Sequence, residues 1–144
     1  MSNLNDSVAA ATAKVPKRLR KTMLNGRPAL IVEEEFLIAL DIQRMLENLD
    51  VGQTLFARNT AEAEQLRARW PDIGLAIIEI HLDDVETTRL AEGLTAAGVP
   101  VVLTTADIAV RRGFSTLPDL PVVIKPMPEE IMASAIRQAL AARG

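Results

Sequence analysis

Charged and hydroxyl side chains follow four short apolar runs in this sequence. In chain order they are Glu33, Glu34, Glu79, Thr105 and Lys125. Such runs are typical of strands buried on both faces of a parallel sheet, and the carboxyl ends of these strands meet at one edge, where ligands bind. Three carboxylates gathered there repel one another unless a cation neutralises part of their charge. The residue types therefore predict a cation site or an ion pair with the lysine, and a Lys125–Glu79 pair is the arrangement we favour.

The elements that would position these side chains alternate between strand and helix from residue 27 onwards. The patterns predict strands at 28–32, 54–57, 75–80, 100–104 and 121–125, and helices at 36–49, 59–69, 85–97 and 128–142. A further helix is expected between residues 106 and 120, kept short or irregular by Gly113 and Pro118. This alternation predicts an α/β fold: a doubly wound parallel sheet covered by helices on both faces, with right-handed crossovers.

Three details of this pattern concern packing and capping. Phe36, Leu37 and Leu40 are among the apolar positions of the first helix, and a packing role suffices to explain Phe36. Trp70, the only tryptophan, is predicted to pack at the end of the second helix. Asn59 has the spacing from Glu62 that is typical of a helix-capping pair.

Composition limits the class of protein. A chain of 144 residues with 49% apolar residues has the size and the core of one domain. It contains no cysteine and a single histidine, which excludes disulfides and thiolate zinc sites and disfavours a serine–histidine triad. No apolar run approaches the ~20 residues of a membrane span, and the N-terminus does not have the order of a secretory signal. We therefore expect a soluble, cytoplasmic protein.

Charge divides the chain into a basic N-terminal extension, residues 1–27, and an acidic domain, residues 28–144. The extension carries six Lys/Arg and one Asp, whereas the remainder carries ten Lys/Arg and eighteen Asp/Glu. The basic cluster at 17–21 could contact nucleic acid or an anionic surface. No aromatic residues interleave these charges to stack on bases, so a solvated extension is the preferred interpretation and nucleic-acid binding is the alternative.

From about residue 28 to residue 142 the chain resembles the CheY-like receiver domains of two-component response regulators. The motifs that carry the resemblance are Glu33-Glu34-Glu35, Glu79, Thr105-Ala106 and Lys125-Pro126, each at the end of a predicted strand. The resemblance implies a flavodoxin-like (βα)5 fold with strand order 2-1-3-4-5. It also implies a role in two-component or phosphorelay signalling.

The resemblance assigns a role to each site residue. Receivers have a phosphate-accepting aspartate at the Glu79 position and bind magnesium through it, through a first-strand acid and through a backbone carbonyl two residues later. Here it implies Glu33, Glu34 and Glu79 as the metal ligands, with magnesium as the ion. Thr105 and Lys125 would contact the phosphoryl oxygens.

This sequence departs from the receiver pattern at the positions that do the chemistry. Glu79 and Glu34 are each one methylene longer than aspartate, and an aliphatic Val122 stands in the place of the aromatic residue that reports phosphorylation. In-line phosphoryl transfer tolerates such displacement poorly. We therefore predict a pseudo-receiver that acts by protein–protein interaction without phosphorylation. A receiver that still binds magnesium and phosphate is the alternative.

An enzymatic role is not expected. A nucleotide- or flavin-binding enzyme of this fold needs a glycine-rich phosphate loop after the first strand, where this chain has three glutamates. The expected partner is a histidine kinase or another signalling protein, with a homodimer as the alternative, and no membrane. No effector domain follows the last helix, so we expect output through that helix and residues 106–120. His81, Asp83 and Asp84 are interpreted as solvated loop residues. The alternatives are a phosphohistidine carrier for His81, and a phosphate acceptor or metal ligand for the two aspartates.

Overall fold

Five short apolar segments form the sheet at the centre of the molecule. The computed structural model describes residues 23–81, 84–107 and 120–143. The strands are β1 (Ala29–Val32), β2 (Thr54–Ala57), β3 (Leu75–Glu79), β4 (Val101–Thr105) and β5 (Val122–Ile124). All neighbouring strands are parallel, in the order β2-β1-β3-β4-β5. The doubly wound fold and its strand order are thereby confirmed.

Helices connect the strands. They are α1 (Phe36–Glu47), α2 (Thr60–Gln65), a 3-10 helix (Arg67–Asp72), α3 (Val85–Ala96) and α4 (Glu129–Arg143). The helix expected between residues 106 and 120 falls on residues 108–119, which lie outside the described residues. No helix in the described ranges is long and apolar enough to cross a membrane.

The sheet separates two apolar cores because successive side chains of a strand point to opposite faces. Ile31 and Ile77 face one side and pack with residues of α1 and α4. Leu30 and Ile78 face the other side and pack with residues of α2 and α3. The central strands β1 and β3 are buried on both faces, which is why their sequences are continuous apolar runs.

The first two residues of α1, Phe36 and Leu37, do not pack into the core, contrary to the expectation for Phe36. The buried face of α1 consists of Ala39, Ile42, Met45 and Leu46. At about 100° per residue, positions 36, 37 and 40 lie on the far side of the helix from Ile42. Phe36 and Leu37 are accordingly 68% and 78% exposed.

The described fold includes residues that the charge pattern assigns to the extension. Leu24 is 1% exposed and lies in the core beside α1 and α4. Its N–H donates to the carbonyl of Leu49 (3.2 Å), and that of Gly26 donates to the carbonyl of Asp50 (2.9 Å). Residues 23–26 are thus part of the packed structure.

The predicted second helix divides into two pieces. The Asn59 side chain caps α2 by accepting the N–H of Glu62 at 2.9 Å, as the spacing indicates. The helix ends at Gln65, and the chain tightens into the 3-10 helix that contains Pro71. This brings Trp70 into the core, 1% exposed, with its indole N–H donating to the carbonyl of Ala63 at 3.2 Å. The predicted packing role of Trp70 is confirmed.

Two glycines, one against the Gly26 backbone and one against Trp70, provide a matched test of how closely the chain packs at these points. A Cβ at Gly52 would overlap the backbone carbonyl of Gly26, whereas a Cβ at Gly93 would meet the Trp70 ring at an ordinary 3.4 Å. We expect Gly52→Ala to lower the free energy of unfolding by roughly 2 kcal/mol or more, because backbone must move. Gly93→Ala, inside α3, should leave it unchanged or raise it by up to about 1 kcal/mol. Urea denaturation of both variants measures the difference, and equal effects would contradict the described turn at Gly52.

Candidate functional site

The predicted site residues meet at the carboxyl edge of the sheet. The parallel register places Val32 beside Ile78, Glu79 beside Thr104, and Thr105 beside Ile124. The residues that leave β1, β3, β4 and β5 therefore emerge side by side. This edge holds the five residues selected from the sequence.

Lys125 is the centre of this edge. Its ammonium group forms ion pairs with Glu33, at 2.5 Å between Nζ and Oε1, and with Oε2 of Glu79. The side chains of Lys125, Glu33 and Glu79 are only 9%, 1% and 12% exposed. The pair with Glu79 expected from the sequence is present, and Glu33 shares the same lysine. The Lys125–Pro126 peptide bond that follows is cis.

Glu33 is fully engaged in this arrangement. One carboxylate oxygen accepts from Lys125, and the other accepts the backbone N–H of Glu35 at 3.0 Å. Because both oxygens already have donors, Glu33 is oriented toward the protein. Each oxygen keeps a further lone pair, but the side chain is only 1% exposed and does not line the open cleft at this edge.

Burial and ion pairing set the proton affinities of the three groups. Burial raises the pKa of Glu33, and the hydrogen bonds from Lys125 and Glu35 offset only part of this rise, so its pKa is above the usual value. Burial also acts to raise the pKa of Glu79, but the hydrogen bond and charge of Lys125 outweigh it and the pKa is lowered. The two carboxylates overcome the desolvation of Lys125 and raise its pKa. Glu79 and Lys125 are therefore the firmly charged partners.

Glu34 and His81 occupy the open side of the same edge. Ligand atoms of Glu34, Glu79 and His81 lie within 4.8 Å of one another. His81 Nε2 lies 3.6 Å from Oε1 of Glu79, the oxygen that Lys125 does not take. A cleft of about 160 Å³ opens onto these groups and is also lined by Arg58 and Glu86.

His81 is the site residue that the sequence reasoning missed. It is exposed, with 58% of its side chain accessible, as a loop residue would be, yet it borders the site. The available signal was its position two residues after the end of β3, at the carboxyl edge. Asp84 caps α3 by accepting the N–H of Thr87 at 3.1 Å, so it is not simply a solvated loop residue. Asp83 lies outside the described residues.

The hydroxyl groups of β4 are both buried. Thr105 is fully buried, and its Oγ1 accepts the backbone N–H of Asp107 at 3.1 Å. The hydroxyl of Thr104 is buried without a hydrogen-bond partner among the described residues. Val122, where receivers carry an aromatic residue, lies half-buried in β5.

The magnesium ion that the resemblance implies does not fit these residues well. Magnesium requires near-ideal octahedral oxygen coordination. Of the three implied ligands, Glu33 is buried against Lys125 and does not line the cleft, and an imidazole lies beside Glu34 and Glu79. The His81 carbonyl, which the resemblance implies as a further oxygen ligand, already accepts the N–H of Asp84 at 3.2 Å. Imidazole suits zinc, copper and nickel, whereas magnesium prefers carboxylate, carbonyl and water.

Comparisons with solved structures assign the fold. No family model matches the sequence, and the search of curated proteins finds no match. A response regulator receiver protein from Sinorhizobium medicae superposes with TM-score 0.68 at 19% identity, covering 84% of this chain and 99% of that one. A signal receiver domain of an HD domain-containing protein from Pseudomonas fluorescens gives TM-score 0.65 at 22% identity, covering 81% and 96%.

A third similar structure is the response regulator PhyR from Brucella abortus, with TM-score 0.62 at 29% identity. The match covers 81% of this chain and 48% of PhyR, so this chain spans about half the length of that regulator. The chain has the CheY-like receiver fold.

The buried lysine should be more important to stability than a surface cation. We expect Lys125→Met to lower the free energy of unfolding by about 3 kcal/mol at neutral pH, because it leaves two buried carboxylates without their partner. The matched control is Arg44→Met, which removes an exposed ion pair with Asp41 and should cost at most about 0.5 kcal/mol. Equal losses would contradict the ion-pair arrangement.

The deficit of the Lys125→Met variant should also depend on pH. In the parent, the lowered pKa of Glu79 contributes stability that is present above the ordinary value of 4.5 and is lost as pH falls through the folded-state pKa. Without the lysine that contribution disappears and protonation of the carboxylates relieves their repulsion. Denaturation curves should therefore show the difference between parent and variant shrinking as pH falls below 4.5. A constant difference would mean that Lys125 acts through packing alone.

Proposed function

We propose that this protein is a receiver-like signalling module that acts by binding other proteins and does not use phosphorylation. The observation that carries the proposal is the ion pair between Lys125 and Glu79. In receivers the corresponding lysine contacts the phosphoryl group, as the sequence resemblance implies. Here the protein's own carboxylate, extended by one methylene, already holds this lysine in a buried contact.

A permanent carboxylate at this point has a signalling consequence. The Glu79 charge, stabilised by a pKa below its usual value, places one negative charge toward the position that a phosphoryl group takes in a receiver. The domain is thereby kept in one electrostatic state, without a cycle of phosphate addition and loss. Its output is then set by which protein it binds, and not by an enzymatic step.

The similar structures support a regulatory role of this kind. The PhyR structures are those of a stress response regulator and of an anti-anti-sigma factor, and share 27% to 29% identity with this chain. Both names are those of regulatory proteins. They support a binding role here, with a histidine kinase or another signalling protein as the partner.

The absence of phosphoryl chemistry is tested by comparing the parent with Glu79→Asp. We expect no added phosphoryl mass on the parent after incubation with magnesium and acetyl phosphate. The shorter side chain of the variant withdraws the carboxylate by about one methylene length and should increase adduct formation by roughly 100-fold or more, since displacements of ~1 Å have effects of that size.

Intact-protein mass spectrometry measures the adduct, and backbone NMR with beryllofluoride reports binding at residues 79, 105 and 125. Glu79→Gln, which keeps the length and removes the charge, is the control. A labile phosphoryl adduct on the parent protein would refute the proposal.

The exposed apolar surface of α1 is the proposed contact surface. Phe36, Leu37 and Leu40 are 68%, 78% and 37% exposed and lie together on the outward side of the helix. Phe56, 42% exposed, is in register with Ile31 in the edge strand β2, and so lies on the same face of the sheet. Exposed apolar groups that adjoin one another, as the three do on this helix, mark protein-binding surfaces. This differs from the output surface expected from the sequence, the last helix and residues 106–120.

A pair of charge substitutions separates these two surfaces. We expect Leu37→Glu to weaken binding to a histidine-kinase dimerisation domain at least tenfold, because a truncated or charged anchor costs more than about 1.4 kcal/mol. Ile131→Glu, which places the same charge at a 49% exposed position of α4, should change affinity by less than about twofold. Isothermal titration calorimetry measures both, with thermal denaturation confirming that the variants remain folded.

If Ile131→Glu weakened binding and Leu37→Glu did not, the contact surface would be α4 and not α1. Sedimentation equilibrium of the same variants tests self-association, and loss of a dimer in Leu37→Glu would identify a second copy of the chain as the partner.

A further inference from the structure

We propose that Glu34, Glu79 and His81 form a binding site for a transition-metal ion of the zinc class, in place of the magnesium ion that the fold implies. The site goes beyond the proposed function and does not depend on it. Its three ligand atoms lie within 4.8 Å of one another at the ends of β1 and β3. Two carboxylates and one imidazole form a mixed set, and the imidazole is the group that distinguishes it from an acidic patch.

The donor atoms are available for coordination. Glu79 uses one oxygen for Lys125, which leaves Oε1 facing His81 at 3.6 Å. Within the part of the chain that the structure describes, Glu34 forms neither a hydrogen bond nor an ion pair. Glu33, by contrast, has both oxygens engaged. Glu33 is therefore engaged away from the cleft, whereas Glu34 and the second oxygen of Glu79 face it.

The spacing of these atoms suits one ion. Zinc binds imidazole nitrogen and carboxylate oxygen at about 2.0–2.2 Å in a tetrahedron, so its ligand atoms lie about 3.3–3.6 Å apart. The 3.6 Å between His81 Nε2 and Glu79 Oε1 already matches this spacing, and wider separations, up to 4.8 Å, close by rotation of side chains. Glu34 and His81 are exposed and can make these rotations. Three protein ligands leave a fourth position open to water or to a ligand supplied by a partner.

The surroundings favour a cation. Glu86 and Asp84 add two further carboxylates to the lining of the cleft. Arg58, the cation in that lining, is paired with Glu62 at 3.1 Å, which offsets its charge. Behind the site, Lys125 holds Glu79 in position in the manner of the second-shell groups that orient metal ligands.

The combination of one imidazole with two carboxylates determines which metal ion the site prefers. Magnesium prefers oxygen ligands and retains much of its water, whereas imidazole suits zinc, copper and nickel. A site that includes His81 therefore prefers zinc over magnesium. Replacement of this one histidine should remove the preference.

The test measures zinc binding to the full chain, prepared without a polyhistidine tag, by competition with a chromophoric chelator. We expect one zinc ion per chain and no displacement by a large excess of magnesium. His81→Ala and Glu34→Gln should each weaken zinc binding at least about tenfold, the lower end of the effect seen even for outer-shell groups. Glu86→Gln, which removes a carboxylate from the same cleft but outside the ligand set, should change affinity by less than about threefold.

A second readout does not depend on variants. Because the chain has a single histidine, the imidazole nitrogen NMR spectrum reports His81 alone. Zinc should shift one ring nitrogen of the native protein saturably, with the same affinity as in the competition assay. An unshifted imidazole, an unchanged affinity in His81→Ala, or an equal loss in Glu86→Gln would overturn the proposed site. None of these outcomes bears on phosphoryl uptake, so the two proposals fail separately.

Discussion

The shared ion pair of Lys125 with Glu33 and Glu79 is the constraint on which this edge of the molecule depends. It joins the residue after β5 to those that end β1 and β3, across the width of the sheet. Two carboxylates and one ammonium leave a buried excess of negative charge. The raised pKa of Glu33, caused first by its burial, and the lowered pKa of Glu79 are the two responses to that excess. Glu33 therefore binds a proton more readily than Glu79 does.

The edge of the sheet has a closed half, which is buried, and an open half, which is accessible. The closed half, Glu33 with Lys125, is almost fully buried and ties the strands together. The open half, Glu34 and His81, faces a cleft and is accessible. Glu79 belongs to both, since one of its oxygens faces the lysine and the other faces the histidine.

The exposed apolar residues of α1 show what a hydrophobic sequence pattern cannot predict. Phe36, Leu37 and Leu40 look like core residues by type, but the helix turns its Ala39–Ile42 side to the sheet and exposes them. Composition alone does not distinguish a core position from a binding surface, because both are apolar. The same limit applied to His81, whose exposure fitted a loop and whose proximity to Glu79 depends on how the chain leaves β3.

The sequence by itself determined the fold and most of the residues that gather at the carboxyl edge of the sheet. Continuous apolar runs at β1, β3 and β4, each followed by polar residues, specify a parallel sheet whose carboxyl edge collects Glu33, Glu34, Glu79, Thr105 and Lys125. Only the tertiary structure decided how those residues pair. Which two glutamates share the lysine, and which two face the cleft with His81, depends on distances of a few ångströms between different strands. Hydrophobic periodicity carries no information on that scale, because it records which face of an element is buried and not which polar neighbour lies across the sheet.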